Sequence, residues 1–400
     1  KMKRVSAMKK YKIAILGCRS RGTAAAKAYH SHPRTDVVGL CDIVSSRREV
    51  LGRELGLTAL FDDADAMIQK VQPDIVVIPT APYLHCPLTL KVLEHGVHVD
   101  IEKPMGLNLT ETDAMIIKAA EKGSRIAVHH QWRVSAWTQA ISSAFFSGKI
   151  GELRHIYASG KGYYGGFGLM EIGTHLLTSL IKFGGSVQRV TAHATVRGRQ
   201  ISPTDVLHAP RGNGIIVGDR ISASLLFENG IVGTLLQHRF AKNDLNAHVV
   251  ELCGTEGRLL WHPYGAWHLP NPYSLPKDGL DCWKPLDPQY PKSFEKADIE
   301  FKSSQMAEGD YWFVEEYVRA LDQNRDHECN GMAGRHVIEI IMGIFESAAF
   351  GRHVDLPQVK RDHPLLRWRE EAGLKPPDKM PLNDTEWLEE EEHRLNDCSK

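Results

Sequence analysis

Four hundred residues exceed what one ordinary core organises, and 42% hydrophobic side chains supply enough apolar surface for two. Lysine plus arginine balances aspartate plus glutamate at 49 each, so no global field recruits nucleic acid or an anionic membrane, and a small-molecule partner is expected. The seven cysteines (Cys18, Cys41, Cys86, Cys253, Cys282, Cys329, Cys398) are scattered without C-x-x-C or zinc-type spacing, which reads as reduced thiols in a cytoplasmic protein.

The start, KMKRVSAMKK, is basic but lacks the apolar run of a signal peptide, so it reads as a leader with Met8 a candidate true start. Runs such as IAIL and DIVVI fall far short of the roughly 20 apolar residues of a membrane helix. From Lys12 to about Val128 short apolar strands alternate with helical patterns: KIAIL, a helix at 22–32, DVVGLCD, the helix SSRREVLGREL with Ser46 as N-cap, DIVVIP, a helix through CPLTLKVLEHG, HVDIEK, a helix at 110–122, and RIAVHH. This predicts a six-stranded, doubly wound parallel α/β Rossmann domain over residues 1–130. After Gln131 the rhythm changes. A helix at 135–148, the strand LRHIYASG, a Gly-rich loop, a helix near 171–183 and strands near 187–198, 219–227, 231–239, 247–253 and 257–262 predict an α+β domain with a mostly antiparallel open sheet. That domain, assigned to substrate and oligomerisation, runs over 131–360, with a long ordered loop at 263–309 and helices at 311–323 and 333–350. Residues 361–400 form a C-terminal extension, whose acidic tail from Pro376, with LEEEEH, is given no function.

KIAILGCRSRGTAAA has the outline of a dinucleotide turn, G-x-G-x-x-G, with Arg19 at the second glycine. It follows a strand and opens a helix, and Asp42 stands 20 residues after Gly22 at the end of the next strand. Gly17 would make the tight turn and Gly22 would let the helix approach the strand. The helix N-terminus, with Ser20, would then offer N–H groups to a pyrophosphate, with Arg19 and Arg21 adding charge. Asp42 would accept from ribose hydroxyls and repel a 2′-phosphate, favouring NAD, although Arg47 and Arg48 stand close enough to reach such a phosphate. Thr80, His85, Glu102 and Lys103 complete the expected cofactor contacts.

Two further words carry chemistry. In HVDIEKPMG, Glu102-Lys103-Pro104 ends a strand at the carboxyl edge of the sheet, where α/β folds bind ligands. In GFGLMEIGTHLLTSL, Glu171 and His175 are four apart on a helical pattern and share a face. In this order and spacing the chain resembles the glucose-fructose oxidoreductase/inositol dehydrogenase (Gfo/Idh/MocA) family over about 11–356, including GKIGELRHI and the closing AGRHVIEIIMGIFESAAFGRHVDLP. The resemblance implies that Lys103 lies beside the nicotinamide and the reacting hydroxyl, with His175 the general acid/base and Glu171 a catalytic carboxylate. Three positions depart from the family pattern: Glu171 replaces an aspartate, Thr178 replaces an acidic or amide residue, and Arg19 replaces the middle glycine.

Other residues are expected near the substrate. His130, Gln131 and Arg133 would sit at the interdomain cleft, Arg133 either in the site or in a structural salt bridge. Tyr163 and Tyr164 of KGYYGGFG would stack on a sugar ring from a glycine-rich loop, and His238, Arg239, Trp261, Tyr264 and Trp267 are further candidates. No metal is expected: there is no H-x-H or H-E-x-x-H spacing, and His129 and His130 would point to opposite faces of a strand. The expected function is an NAD-dependent oxidoreductase of a secondary ring hydroxyl on a sugar, sugar derivative or cyclitol. The alternatives are a redox-neutral glycoside hydrolase or lyase that keeps its NAD and works through a transient keto-sugar, and a non-catalytic NAD sensor. A homodimer or homotetramer is expected, because an open antiparallel sheet needs a cover.

Overall fold

The computed structural model describes residues 9–240, 242–273, 282–296 and 305–378. Its first layer is built from β1 (Tyr11–Leu16), α1 (Ser20–Ser31), β2 (Thr35–Cys41), α2 (Ser45–Leu55), β3 (Leu60–Phe61), α3 (Ala64–Val71), β4 (Ile75–Ile78), α4 (His85–Glu94), β5 (His98–Ile101), α5 (Leu109–Lys122) and β6 (Ile126–Val128). All neighbours are parallel in the order β3-β2-β1-β4-β5-β6, so the topological switch point falls between β1 and β4. All four side chains of β4 are buried, as a strand covered on both faces requires. The expected six-stranded parallel unit is therefore present. Its third strand has only two residues, too short to show a period, and α3 follows the cap Asp63, whose carboxylate accepts from Ala66 N. Ser46 is not a cap: α2 begins at Ser45, and the N–H of the preceding Val44 is held by Asp42 Oδ1 at 2.9 Å.

The second layer comprises α6 (Ala136–Phe146), β7 (Leu153–Ser159), α7 (Gly165–Glu171), α8 (Gly173–Gly184), β8 (Val187–Val196), β9 (Arg199–Gln200), β10 (Leu207–His208), β11 (Ile215–Ile216), β12 (Arg220–Phe227), β13 (Val232–His238), β14 (Val249–Gly254), β15 (Arg258–His262), β16 (Gly265–Leu269) and β17 (Lys284–Pro285). Helices α9 (Gln305–Asp322) and α10 (Gly331–Phe350), β18 (Val354–Asp355) and α11 (Pro364–Glu371) follow. The large sheet runs β17-β16-β15-β14-β7-β13-β12-β8-β18, with β9 at the edge of β8 and β7/β13 its parallel pair. Helices α6, α8 and α10 cover one face, and on the other alternate residues such as Ser224 and Val232 stay exposed.

Two expectations change here. The glycine-rich stretch is the helix α7, not a loop: a Cβ at Gly165 would stand 2.8 Å from Gln237 O and 3.0 Å from Asp219 O, so its glycines serve the packing of α7 on β12 and β13. The stretch 263–309 holds β16, β17 and the start of α9 rather than one long loop, and its segments 274–281 and 297–304 lie outside the described residues, as does LEEEEH. Helix α9 packs against α1 of the first layer, burying Phe313, Val314 and Tyr317 with Ile13, Ala25 and Tyr29. Each of the larger side chains among these contributes about 1.5–3 kcal/mol of transfer free energy. That return of the chain brings Asp310 to the cofactor edge.

Candidate active site

At the end of β1 the chain turns at Gly17, whose φ of +121° suits glycine, into α1. A Cβ on Gly22 would overlap the Gly17 carbonyl oxygen, which is the close helix-to-strand approach the sequence anticipates. Arg19 has φ −82° and an exposed side chain, so replacing the middle glycine strains nothing. Helix α1 carries no side-chain cap and no acid in its first turn, leaving the N–H groups of Ser20, Arg21 and Gly22 to a ligand. Asp42 is buried at the tip of β2 and accepts from Cys18 N at 2.8 Å as well as from Val44 N. Arg48 donates to the Asp42 carbonyl at 2.6 Å, and Arg47 stands 3.8 Å from its carboxylate. A cavity of about 290 Å³ lined by Cys18, Thr23, Ser46, Arg47 and Glu54 opens beside α1 and α2. Across the turn, Thr80 Oγ1 is buried without a protein partner, and its methyl would lie 3.2 Å from a Cβ on Gly17. These features fit a dinucleotide.

Three residues expected to touch the cofactor face elsewhere. Arg21 turns inward, its Nε on Glu102 Oε1 at 2.7 Å and its two terminal nitrogens on Asp310 at 3.1 and 3.2 Å. His85 is fully buried, with Nδ1 2.7 Å from Pro104 O and Nε2 3.1 Å from Thr80 O, so it pins the Lys103-Pro104 turn to the loop after β4. Glu102 faces Arg21 and accepts from Lys103 N at 3.2 Å. Burial alone would raise the Glu102 and Asp310 carboxyls, but Arg21 beside both, with His129 adding to it, holds each below the usual range. His129 places Nδ1 3.0 Å from Asp100 and Nε2 3.1 Å from Asp310, and Tyr29 donates to Asp100 at 2.9 Å. This buried network behind Lys103 has no sequence signal, because Asp310 is 181 residues from the histidine it meets.

Lys103 reaches across to the second domain. Its ammonium pairs with the Glu171 carboxylate and stands 3.4 Å from the Glu171 carbonyl oxygen. Glu171 ends α7 and His175 lies in the first turn of α8, the break falling at Ile172. The His175 ring is buried against Trp132 (centroids 4.4 Å apart) and His130 (5.5 Å), and its Nδ1 has no partner among the protein atoms. Burial first, and the Lys103 ammonium second, push His175 well below the ordinary histidine range, so it is neutral at working pH. Lys103, Glu171 and His175 thus converge from the two domains at the carboxyl end of the parallel sheet.

The remaining candidates divide. Gln131 is buried next to Gly309 with Oε1 lacking a protein partner. Arg133 is structural: it donates to the Thr178 carbonyl and lies 3.2 Å from Thr178 Oγ1, anchoring the fully buried Thr178 of α8. Tyr163 is half-buried under the Lys161 ammonium, 4.8 Å from the ring centroid, whereas Tyr164 is 2% exposed within the core and faces no sugar. His238 is 3.4 Å from Ser222 Oγ, Tyr264 is exposed with its ring tilted against His262, and Trp261 joins Trp132 and His248 in the aromatic wall behind His175. Trp267 packs over Gly265, and Arg239 follows β13. Sequence reasoning missed Asp100, His129, Asp310, Trp132 and His248; for the aromatic wall the only signal was the W in HHQWR.

This is the fold and edge-of-sheet site of a two-domain, dinucleotide-dependent oxidoreductase. The matching family models describe an oxidoreductase family with an NAD-binding Rossmann fold, over residues 11–130, and its C-terminal alpha/beta domain, over 161–356. The chain belongs to the Gfo/Idh/MocA oxidoreductase family and binds NAD through its first domain. It is 27% identical to D-apiose dehydrogenase of Paraburkholderia graminis over 63% of this chain and 68% of that one. It is 29% identical to D-glucoside 3-dehydrogenase of Escherichia coli over 46% of this chain and 57% of that one. Levoglucosan dehydrogenase in complex with NADH and L-sorbose superimposes with a TM-score of 0.71, at 18% identity, over 88% of this chain and all of that one (100%). Among the described residues no helix is long and apolar enough to cross a membrane.

Proposed function

We propose that the protein oxidises a secondary ring hydroxyl of a sugar, sugar derivative or cyclitol with NAD, and the observation that carries this reading is the meeting of Lys103 with Glu171 and His175 across the domain cleft. NAD, when bound, accepts the hydride from the carbinol carbon. Neutral His175 takes the hydroxyl proton, and Lys103 donates to the same oxygen and stabilises its developing negative charge. Glu171 orients that ammonium. Arg21, committed to Glu102 and Asp310, acts as a positioning residue that ties the first turn of α1 to the Lys103 strand end. The Asp42 carboxylate favours NAD over NADP.

The test is NADH formation over a panel of free sugars, glycosides and cyclitols. Lys103→Ala or His175→Ala should lower kcat by roughly 10²- to 10⁴-fold with NAD affinity retained; full activity in either variant removes the assigned roles. Near-stoichiometric NAD in the purified protein, with glycoside cleavage and no net NADH, would replace oxidation by redox-neutral elimination chemistry. The open face of the large sheet, where Leu226, Thr234 and Leu236 are half-buried and Val232 is exposed, supports pairing of two copies. Leu236→Glu should then shift the mass measured by light scattering toward the monomer, and an unchanged mass would remove this face from the interface.

A further inference from the structure

The hairpin β10–β11 is a sheet of its own, two residue pairs (Leu207 with Ile216, His208 with Ile215) that join no other strand among the described residues. So small a hairpin is marginal in water and takes its shape from what packs on it. Its connection carries three left-handed residues, Arg211 (φ +58°), Gly212 (+75°) and Gly214 (+81°), and the non-glycine among them persists only where neighbours hold it. The tip lies at the catalytic cleft. The Arg211 guanidinium is 3.8 Å from Glu171 Oε1, a Cβ on Gly212 would meet the Tyr83 ring at 2.5 Å, and one on Gly214 would meet Leu107 at 3.3 Å. Tyr83 and Leu107 follow Thr80 and Lys103 on the first domain, so the tip spans the cleft beside the reacting centre.

The base of the hairpin rests on the C-terminal extension. Helix α11, beyond residue 356 where the match to the C-terminal alpha/beta domain ends, packs on β11 and on the turn Pro203–Asp205 that leads into the hairpin. Arg369 donates to the Pro203 carbonyl at 2.9 Å, the His363 ring lies against the Ile215 backbone, and Leu365 is fully buried in the core that holds Ile215 and Ile216. The helix is itself fixed to α10, by Arg367 on Glu346 at 2.9 Å and by His363 stacked on Phe345 with centroids 6.2 Å apart. The strand then passes the constraint to α7: a Cβ on Gly166 would stand 3.0 Å from Ile216 Cβ and 2.6 Å from Val217 O, and α7 ends at Glu171, the partner of Lys103.

We propose that α11 is a positioning element for the reacting centre: it holds the β10–β11 hairpin, and through it the loop at the cleft and the Glu171 carboxylate, in the geometry that receives the substrate. The proposal rests on the oxidoreductase reading and deepens it. It gives the C-terminal extension a part in binding the substrate and none in binding NAD, because the contacts of α11 run to α10, β11 and the turn at 203–205.

The experiment compares the full chain with Arg369→Ala, Arg369→Lys and Leu365→Ala by hydrogen exchange and by kinetics. The amides of Ala209 and Asn213, bonded to Gly214 O and Pro210 O, report the loop, and those of α1 report the cofactor turn. Arg369→Ala should speed exchange in 207–216 by roughly fivefold, the value of one hydrogen bond, and Leu365→Ala by roughly 30-fold or more, with 20–31 exchanging as in the native protein. With a sugar that yields NADH, kcat/KM for the sugar should fall roughly tenfold in Leu365→Ala and less in Arg369→Ala, while KM for NAD stays within about twofold, because small misplacements at a reacting centre cost rate steeply. Arg369→Lys keeps a donor for Pro203 O and should recover most of the loss. Native exchange of 207–216 in both alanine variants overturns the proposal, as does faster exchange with no loss on the sugar. Equal losses on sugar and NAD, or faster exchange of 20–31 in Arg369→Ala, would make α11 a general stabiliser and overturn it as well. Should Leu365→Ala fail to fold, Arg369→Ala against Arg369→Lys decides. Should no sugar yield NADH, the oxidoreductase reading falls by itself, and the exchange comparison still decides whether α11 holds the loop.

Discussion

His129 and His130 follow the same strand, are each 1% exposed, and sit in opposite electrostatic states. Burial works against the charge of both. For His129, Asp100 and Asp310 overcome it and push the imidazole up to about 10, with both ring nitrogens donating to carboxylates. For His130, burial is joined by the cations Arg133 and Lys103, and the ring is driven down to about 3. One residue of register therefore separates a fixed cation inside an ion network from a neutral ring against His175. Partners, not depth, decide which charge a buried histidine carries. The same alternation splits Glu102 from Lys103 at the end of β5: the first joins the structural network and the second crosses to Glu171.

The comparison breaks most sharply at Asp310. Asp310→Asn leaves Arg21 and His129 short of a carboxylate in a dry site, and removal of one partner from a buried ion group typically costs about 3–5 kcal/mol. Urea denaturation should show that loss together with a raised KM for NAD, because Arg21 anchors the first turn of α1; a loss under about 1 kcal/mol would mean the network carries little of the fold. The two histidines should then differ in the same assay. His129→Gln removes the cation between two carboxylates and should cost about 2–3 kcal/mol, the desolvation penalty of partners left unmatched. His130→Phe fills the same space beside His175, and His130 Nε2 has no partner to lose, so the change should stay under about 1.5 kcal/mol. Similar losses in the two variants would remove the distinction.

What the sequence disclosed follows the same division. Gly17, Gly22 and Asp42 were legible because a dinucleotide turn constrains the backbone itself, and Lys103, Glu171 and His175 because short words at strand and helix ends carry them. Asp310 and Arg211 were not legible, since α9 and the β10–β11 loop bring them to the site from far along the chain. Tyr164 and the α7 glycines were misread for a different reason. A glycine that lets a substrate approach and one that lets Gln237 and Asp219 approach look identical in sequence, and only the tertiary contact tells them apart. Arg21 and His85 were assigned to the cofactor from their place in the loops; the structure gives their polar atoms protein partners.

Per pH unit the smallest effect is also the most diagnostic, because its sign differs between the two histidines. An unfolded histidine titrates near 6.5. His129, raised to about 10 when folded, contributes stability that is fully present below 6.5 and is lost as pH rises from there toward 10. His130, lowered to about 3, contributes stability that is present above 6.5 and is lost as pH falls from there toward 3. The pair alone would give a stability maximum near pH 6.5, with each limb sloping by at most about 1.4 kcal/mol per pH unit. Melting temperatures from pH 5 to 9 should show His129→Gln flattening the alkaline side while keeping the acid side. His130→Phe should do the reverse in part, because His175 is also held neutral and keeps contributing to the acid limb. If His129→Gln left the fall between pH 7 and 9 intact, His129 would not be the charged member of the network, and the proton would have to reside on one of the carboxylates beside it.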